Sequence, residues 1–179
     1  MCMKKIVLLL GLSFVLPAAL AGQSDEKIKG NRNVTIKQTY IDDFENLVIS
    51  NDFSVEIVYN SKPSVEIETD DNLHEVIKFE VVDGTLTFSE TMRITSKKKM
   101  NIVVNYGDAL KKIDVRGDGE IRSLTSMELG DTVLETSDNA RAYLNINAKT
   151  FDYKSYGKSK TRLNLSADSV KIELSDSSK

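Results

Sequence analysis

Four segments in the C-terminal half of the chain superpose on one another, and this repeat limits the possible folds more than anything else in the sequence. They are Ile113-Asp-Val115-Arg-Gly117-Asp-Gly119, Leu134-Glu-Thr136-Ser-Asp138-Asn-Ala140, Tyr153-Lys-Ser155-Tyr-Gly157-Lys-Ser159 and Ile172-Glu-Leu174-Ser-Asp176-Ser-Ser178. Equivalent turn positions, 117, 138, 157 and 176, follow one another at steps of 21, 19 and 19 residues. Repeats of this length mean stacked units, each too small to bury its own apolar face. The columns make physical sense. Ile113, Leu134, Tyr153 and Ile172 form an inward apolar column. Gly117, Asp138, Gly157 and Asp176 form a structural turn column, since Gly and Asp are among the few residues that visit positive φ. Two places on, Gly119, Ala140, Ser159 and Ser178 are all small, as crowded corners require. A looser copy, Leu47-Val-Ile49-Ser-Asn51-Asp, lies earlier in the chain.

The spacing predicts an all-β protein. The expected architecture is a right-handed parallel β-helix, or β-solenoid-like stack of about 20-residue repeats, over 111–179, with a more irregular N-terminal β region over 30–110. A β-sandwich is the alternative, but it does not call for one turn chemistry repeating in register. The N-terminal region carries its own signals. Val34 to Gln38, Leu47 to Ile49, Val55 to Tyr59 and Val65 to Glu68 alternate apolar and polar residues, and Ile102 to Val104 reads as a further strand. Asp71 to Ile77 has the spacing of one helical turn. Asp83-Gly84, between Phe79–Val82 and Leu86–Phe88, reads as a type I′ hairpin turn.

Residues 1–21 read as a signal peptide. Lys4 and Lys5 form a basic start, Ile6 to Leu16 an apolar run and Ala19-Leu20-Ala21 a cleavage pattern. The apolar run is shorter than the ~20 residues a membrane-spanning helix needs. Residues 22–29 read as a flexible lead-in and 30–179 as one β domain. Cleavage removes Cys2, the only cysteine, and leaves 22 basic against 27 acidic residues, a net charge of −5. An acidic exported chain is a poor partner for nucleic acid.

Several runs in this sequence resemble a known family. Ile28-Lys-Gly30-Asn-Arg-Asn33-Val34, Phe44-Glu-Asn-Leu47-Val-Ile49-Ser, Asp70-Asp-Asn72-Leu73 and Val82-Asp83-Gly84-Thr-Leu86 are similar to the opening of the head GIN domain proteins, adhesin-like exported proteins common in Bacteroidetes. The four repeats stand where that family carries Ser-Gly-Ser-Gly turns, although none of them has that sequence, and Arg32 stands where a glycine is usual. The resemblance covers roughly Ile28 to Lys179 and implies a non-catalytic envelope or surface protein. The repeat stops inside a turn at Lys179, so the sequence alone predicts either a truncated chain or an uncapped last coil with an open edge.

The remaining constellations mostly reduce to surface chemistry. Arg116-Gly117-Asp118 spells an adhesion tripeptide, but the turn already requires its glycine. Ser155-Tyr-Gly-Lys158 has the Ser-x-x-Lys spacing of penicillin-recognising enzymes, on a strand and turn instead of the helix that chemistry needs. His74 is the sole histidine, which excludes a His-based triad or a multi-His metal site. Asp118, Asp138 and Asp176 do not share one column, so they read as solvated turn carboxylates, not a stacked calcium site. Lys97-Lys98-Lys99 reads as a solvated loop. Tyr143 and Tyr156 point outward by parity and, with Arg116 and Asp118, are the surface-binding candidates. The functional expectation is an adhesin-like binding module that is not an enzyme, with no cofactor and no metal. Its partner would be a glycan, a surface protein or another copy of itself. A self-associating structural module is the second expectation, and a carbohydrate-active β-helix enzyme the third.

Overall fold

The computed structural model describes residues 26–175. The expected leader and Asp176 lie outside the described residues. The first strands are β1 (Lys27–Lys29), β2 (Val34–Tyr40), β3 (Asn46–Ile49), β4 (Ser54–Tyr59) and β5 (Ser64–Asp70). A 3-10 turn (Asp71–Leu73) buries Leu73 and leads into β6 (Ile77–Val82), β7 (Thr85–Glu90), β8 (Arg93–Ser96) and β9 (Met100–Tyr106). The C-terminal half holds β10 (Lys112–Val115), β11 (Glu120–Ser123), β12 (Met127–Thr136), β13 (Arg141–Ser155) and β14 (Lys160–Leu174). β1 pairs with β8 in a small two-stranded sheet, and the other twelve strands form one large sheet.

That large sheet runs β2-β5-β9-β4-β11-β13-β12-β10-β3-β7-β6, with β14 attached to β13. It curls because β13 changes partner along its length. Arg141 to Tyr143 lie beside β11, whereas Ile146 to Ser155 lie beside β12. The two arms of the sheet are thereby folded toward each other, and side chains from both belong to one core cluster. Leu47, Ile49, Ile113 and Leu134 enter it from one arm, and Val55, Ile57, Ile102 and Ile121 from the other. Strand alternation makes this possible, because every second side chain points inward.

The all-β expectation stands, but the right-handed parallel β-helix does not. The sheet is a mixed, curled half-barrel in which β2 pairs antiparallel with β5, β5 with β9, and β6 with β7. A uniform parallel coil has no place for those three pairs. The 19- to 21-residue spacing appears instead as parallel register inside this sheet: Ile113 lies opposite Leu134, Leu134 opposite Tyr153, and Tyr153 opposite Ile172. Alternation reports which face of a strand is buried. It does not report whether the neighbouring strand runs parallel or antiparallel.

Local chemistry accounts for the turns. Asp83 (φ 48°) and Gly84 (φ 70°) both take the left-handed conformation, the signature of a type I′ turn, and set Val82 opposite Thr85. Gly117 (φ 63°), Asp138 (φ 60°) and Gly157 (φ 70°) take it as well, as does Asn51 (φ 58°).

A buried tyrosine closes the core beside β4. Tyr106 is almost fully enclosed and meets Tyr59 edge-on, with ring centroids 5.7 Å apart. Burial first, then the Glu128 carboxylate and Tyr59, push its hydroxyl up to about 12. An unfolded tyrosine gives up its proton near pH 10, so between about pH 10 and 12 the unfolded chain binds fewer protons and stability falls as pH rises. The loss attributable to this side chain is about 2 kcal/mol. Urea unfolding at both ends of that window should therefore find Tyr106→Phe less alkali-sensitive than the parent by about that amount.

Candidate functional site

The outer face of β11, β13 and β14 owes its shape to the uneven repeat. Arg122 lies opposite Tyr143, yet Met127 lies opposite Ile146. Five steps of chain on one side therefore match three on the other, and two residues must bulge. The bulge falls at Leu124–Ser126. Leu124 is half exposed there, held by its amide donating to the Ile57 carbonyl at 3.0 Å. This ledge walls a shallow groove of about 460 Å³, whose polar lining is Ser126, Asn145, Asn147, Asn164 and Ser166.

Register builds the rest of the face. Asn145 lies opposite Asn164, and Asn147 opposite Ser166. One row up, Arg122, Tyr143 and Arg162 are aligned across three strands. The Arg122 guanidinium sits 4.6 Å from the Tyr143 ring centroid, a cation–π geometry. The next row is Glu120, Arg141 and Lys160. Glu120 takes Arg122 at 3.4 Å and Arg141 at 3.7 Å. Among the described residues no ion pair involves Lys160 or Arg162. At the far end, Asn147 Nδ2 donates to Glu128 Oε2 at 2.7 Å.

Of the sequence-stated candidates, only Tyr143 belongs to this face. Arg116, Gly117 and Asp118 are engaged within the protein. Arg116 Nε donates to Asp114 Oδ1 at 2.9 Å while Nη2 closes the second arm of the fork on Oδ2. The Asp114 carboxylate, hydrogen-bonded and ion-paired, raises the guanidinium pKa further. The Gly117 amide donates to Asp138 Oδ2 at 3.2 Å, and Asp118 Oδ1 accepts Asn139 Nδ2 at 3.1 Å. Tyr156 is exposed at the Gly157 turn, away from the groove lining. Ser155 is buried in a hydroxyl network, 2.6 Å from Ser159 Oγ and 3.2 Å from Thr136 Oγ1, so it does not face Lys158 from solvent. Lys97–Lys99 is tied down: the Lys98 amide donates to Asp70 Oδ2 at 2.6 Å, and Lys99 pairs with Glu68 at 2.6 Å. His74 Nε2 lies 3.0 Å from Thr35 Oγ1, with its pKa lowered first by burial and then by Lys37. Among the described residues no group of three His, Cys, Asp or Glu side chains could hold a metal ion.

The Arg116–Asp114 fork makes a directional prediction. Asp114 is only 4% exposed, whereas the Arg116 side chain is half in water. Arg116→Ala strands a buried carboxylate and should cost about 2–3 kcal/mol in thermal unfolding; Asp114→Ala frees a cation that water can solvate and should cost about 1 kcal/mol.

Sequence reasoning missed Arg122, Arg141, Lys160 and Arg162. The only available signal was the 21-residue step, which marks the layer where two residues must leave the ladder.

Residues 43–179 match the model of the family described as "Putative auto-transporter adhesin, head GIN domain". The chain belongs to this family. Solved structures resemble the head GIN domain in fold. A "putative adhesin" from Parabacteroides distasonis ATCC 8503 superposes with a TM-score of 0.69 at 18% identity, covering 86% of this chain and 70% of that one. A "putative adhesin" from Parabacteroides merdae ATCC 43184 gives 0.69 at 23% identity, covering 81% and 62%. A "putative lipid binding protein" from Parabacteroides distasonis ATCC 8503 gives 0.64 at 17% identity, covering 83% and 65%. This chain thus spans between 62% and 70% of the lengths of those three proteins. None of these descriptions names an enzymatic activity. No curated protein matches the sequence. Among the described residues, no helix is long and apolar enough to cross a membrane.

Proposed function

We propose that this head GIN domain is a non-catalytic, adhesin-like binding module of an exported surface or envelope protein. The observation that carries this reading is the outer face of β11, β13 and β14, where a ledge, a row of amides and an aromatic–guanidinium row converge on one groove. Nucleophile, base and metal-ligand constellations do not converge there. The leader-like residues 1–21 support export. A glycan array with the purified chain, run beside size-exclusion chromatography, tests the proposal. Selective retention of one ligand class is the expected result. Release of shortened fragments from an acidic polysaccharide would sink the non-catalytic part.

Self-association is the second reading, and β14 favours it. Among the described residues this strand pairs only with β13. Val170, Ile172 and Leu174 are 46%, 57% and 60% exposed along it. Edges with apolar residues recruit other strands, so large homogeneous assemblies in the chromatography would support this reading over the first.

A further inference from the structure

The charge on the groove face is opposite to that of the whole chain. The protein carries a net −3, yet Arg122, Arg141, Lys160 and Arg162 crowd around Tyr143 with Glu120 as the one carboxylate among them. Neighbouring strands lie ~4.8 Å apart and alternate residues along a strand ~6.7 Å apart, so these side chains form a grid on the scale of sugar rings. Moving along β13 and β14 away from the cations, the grid turns neutral: Asn145 and Asn164, then Asn147 and Ser166. Glu128 closes that neutral end and holds the Asn147 amide nitrogen, which leaves its oxygen as an acceptor.

We propose that this face binds an acidic oligosaccharide. Arg162 and Lys160 take its carboxylate or sulfate groups, Tyr143 stacks on a ring face, and the asparagine amides read its hydroxyls. Several features separate this ligand from other polyanions. The lining beyond the cations is amide and hydroxyl, which matches polyhydroxylated rings and offers little to an acyl chain. The charge gradient gives the site a direction, with anionic groups at the arginine row and neutral sugar toward Glu128. Arg122, stacked on Tyr143, fixes the plane of that ring and adds charge beside it. The inference rests on the binding-module reading and gives it a ligand class.

The test is calorimetric titration of the full chain with a heparin-derived hexasaccharide and with hexagalacturonate, using maltohexaose as the neutral control. Expected is binding of at least one acidic probe, with affinity falling about tenfold or more between ~50 and ~300 mM salt, and none of maltohexaose. Arg162→Glu and Tyr143→Ala should each weaken binding about tenfold or more, while Lys78→Glu, the same charge change on β6, should leave it unaltered. Amide chemical shifts should move at Asn145 and Asn164. If Arg162→Glu and Tyr143→Ala bind like the parent, or Lys78→Glu weakens binding equally, the proposed face is wrong. Groove-dependent binding of maltohexaose would overturn the acidic class and leave the binding-module reading standing. Binding of phosphatidylserine vesicles or single-stranded DNA but of neither acidic probe would overturn it in favour of those polyanions. Absence of every ligand on the array as well would remove both readings together.

Discussion

Replacing Phe151 by alanine is expected to destabilise the protein by about 3–5 kcal/mol, enough to unfold a marginal domain near physiological temperature. Phe151 is fully buried where the two arms of the curled sheet meet, opposite Thr132 on one side and Val170 on the other. Its ring lies inside the single core cluster, and strands held on both sides by backbone hydrogen bonds cannot collapse into the space it leaves. Val170→Ala, on the same row but 46% exposed, should cost about 1 kcal/mol or less. Urea denaturation of both variants checks the contrast. Near-equal losses would mean that the core does not extend to β13 as described.

The second large effect belongs to the turns. Gly157→Ala should cost about 2–4 kcal/mol, and Gly84→Ala only about 1–2 kcal/mol, although both glycines have φ of +70°. The conformational strain is the same at the two sites. The surroundings differ: a Cβ at Gly157 would stand 3.0–3.1 Å from the Asp138 backbone, whereas one at Gly84 would meet nothing within 4 Å. The difference between the two losses therefore measures how tightly one turn lies against the next. Equal melting temperatures for the two variants would mean that these turns do not press on each other.

Much of this arrangement is readable from local chemistry. The Asp83-Gly84 hairpin, the short helical turn at Asp71 and the register of Ile113, Leu134 and Tyr153 all follow from residues within about 20 positions of one another. The antiparallel pairs of β5 with β2 and β9 do not. Val65 and Ile67 alternate just as Val55 and Ile57 do, yet β4 runs parallel to β9 and β5 antiparallel to it. An alternating strand fits either neighbour, and the choice is made by long-range packing.

The candidate site was partly legible for a related reason. Parity alone places Tyr143 on the outer face. Its row partners Arg122 and Arg162 become visible only with exact register, and the inserted pair of residues near Leu124 shifts that register by two. Conversely, Arg116 and Asp118 attract attention as a tripeptide, but hydrogen bonds to Asp114 and Asn139 occupy them. A tripeptide in a sequence says nothing of what already holds its side chains.

The pairing distances along the chain also set an order of assembly. β12, β13 and β14 join partners 19 residues apart, whereas Asn46 of β3 must find Lys112, 66 residues away. Closing the longer loop costs about 1 kcal/mol more in chain entropy, before any core is formed to offset it. The C-terminal ladder can therefore nucleate first and serve as the template on which β10, and then β3, dock. A chain emerging N-terminus first would hold its early strands waiting for a surface made last, so the slow step of folding falls after the final strands have appeared.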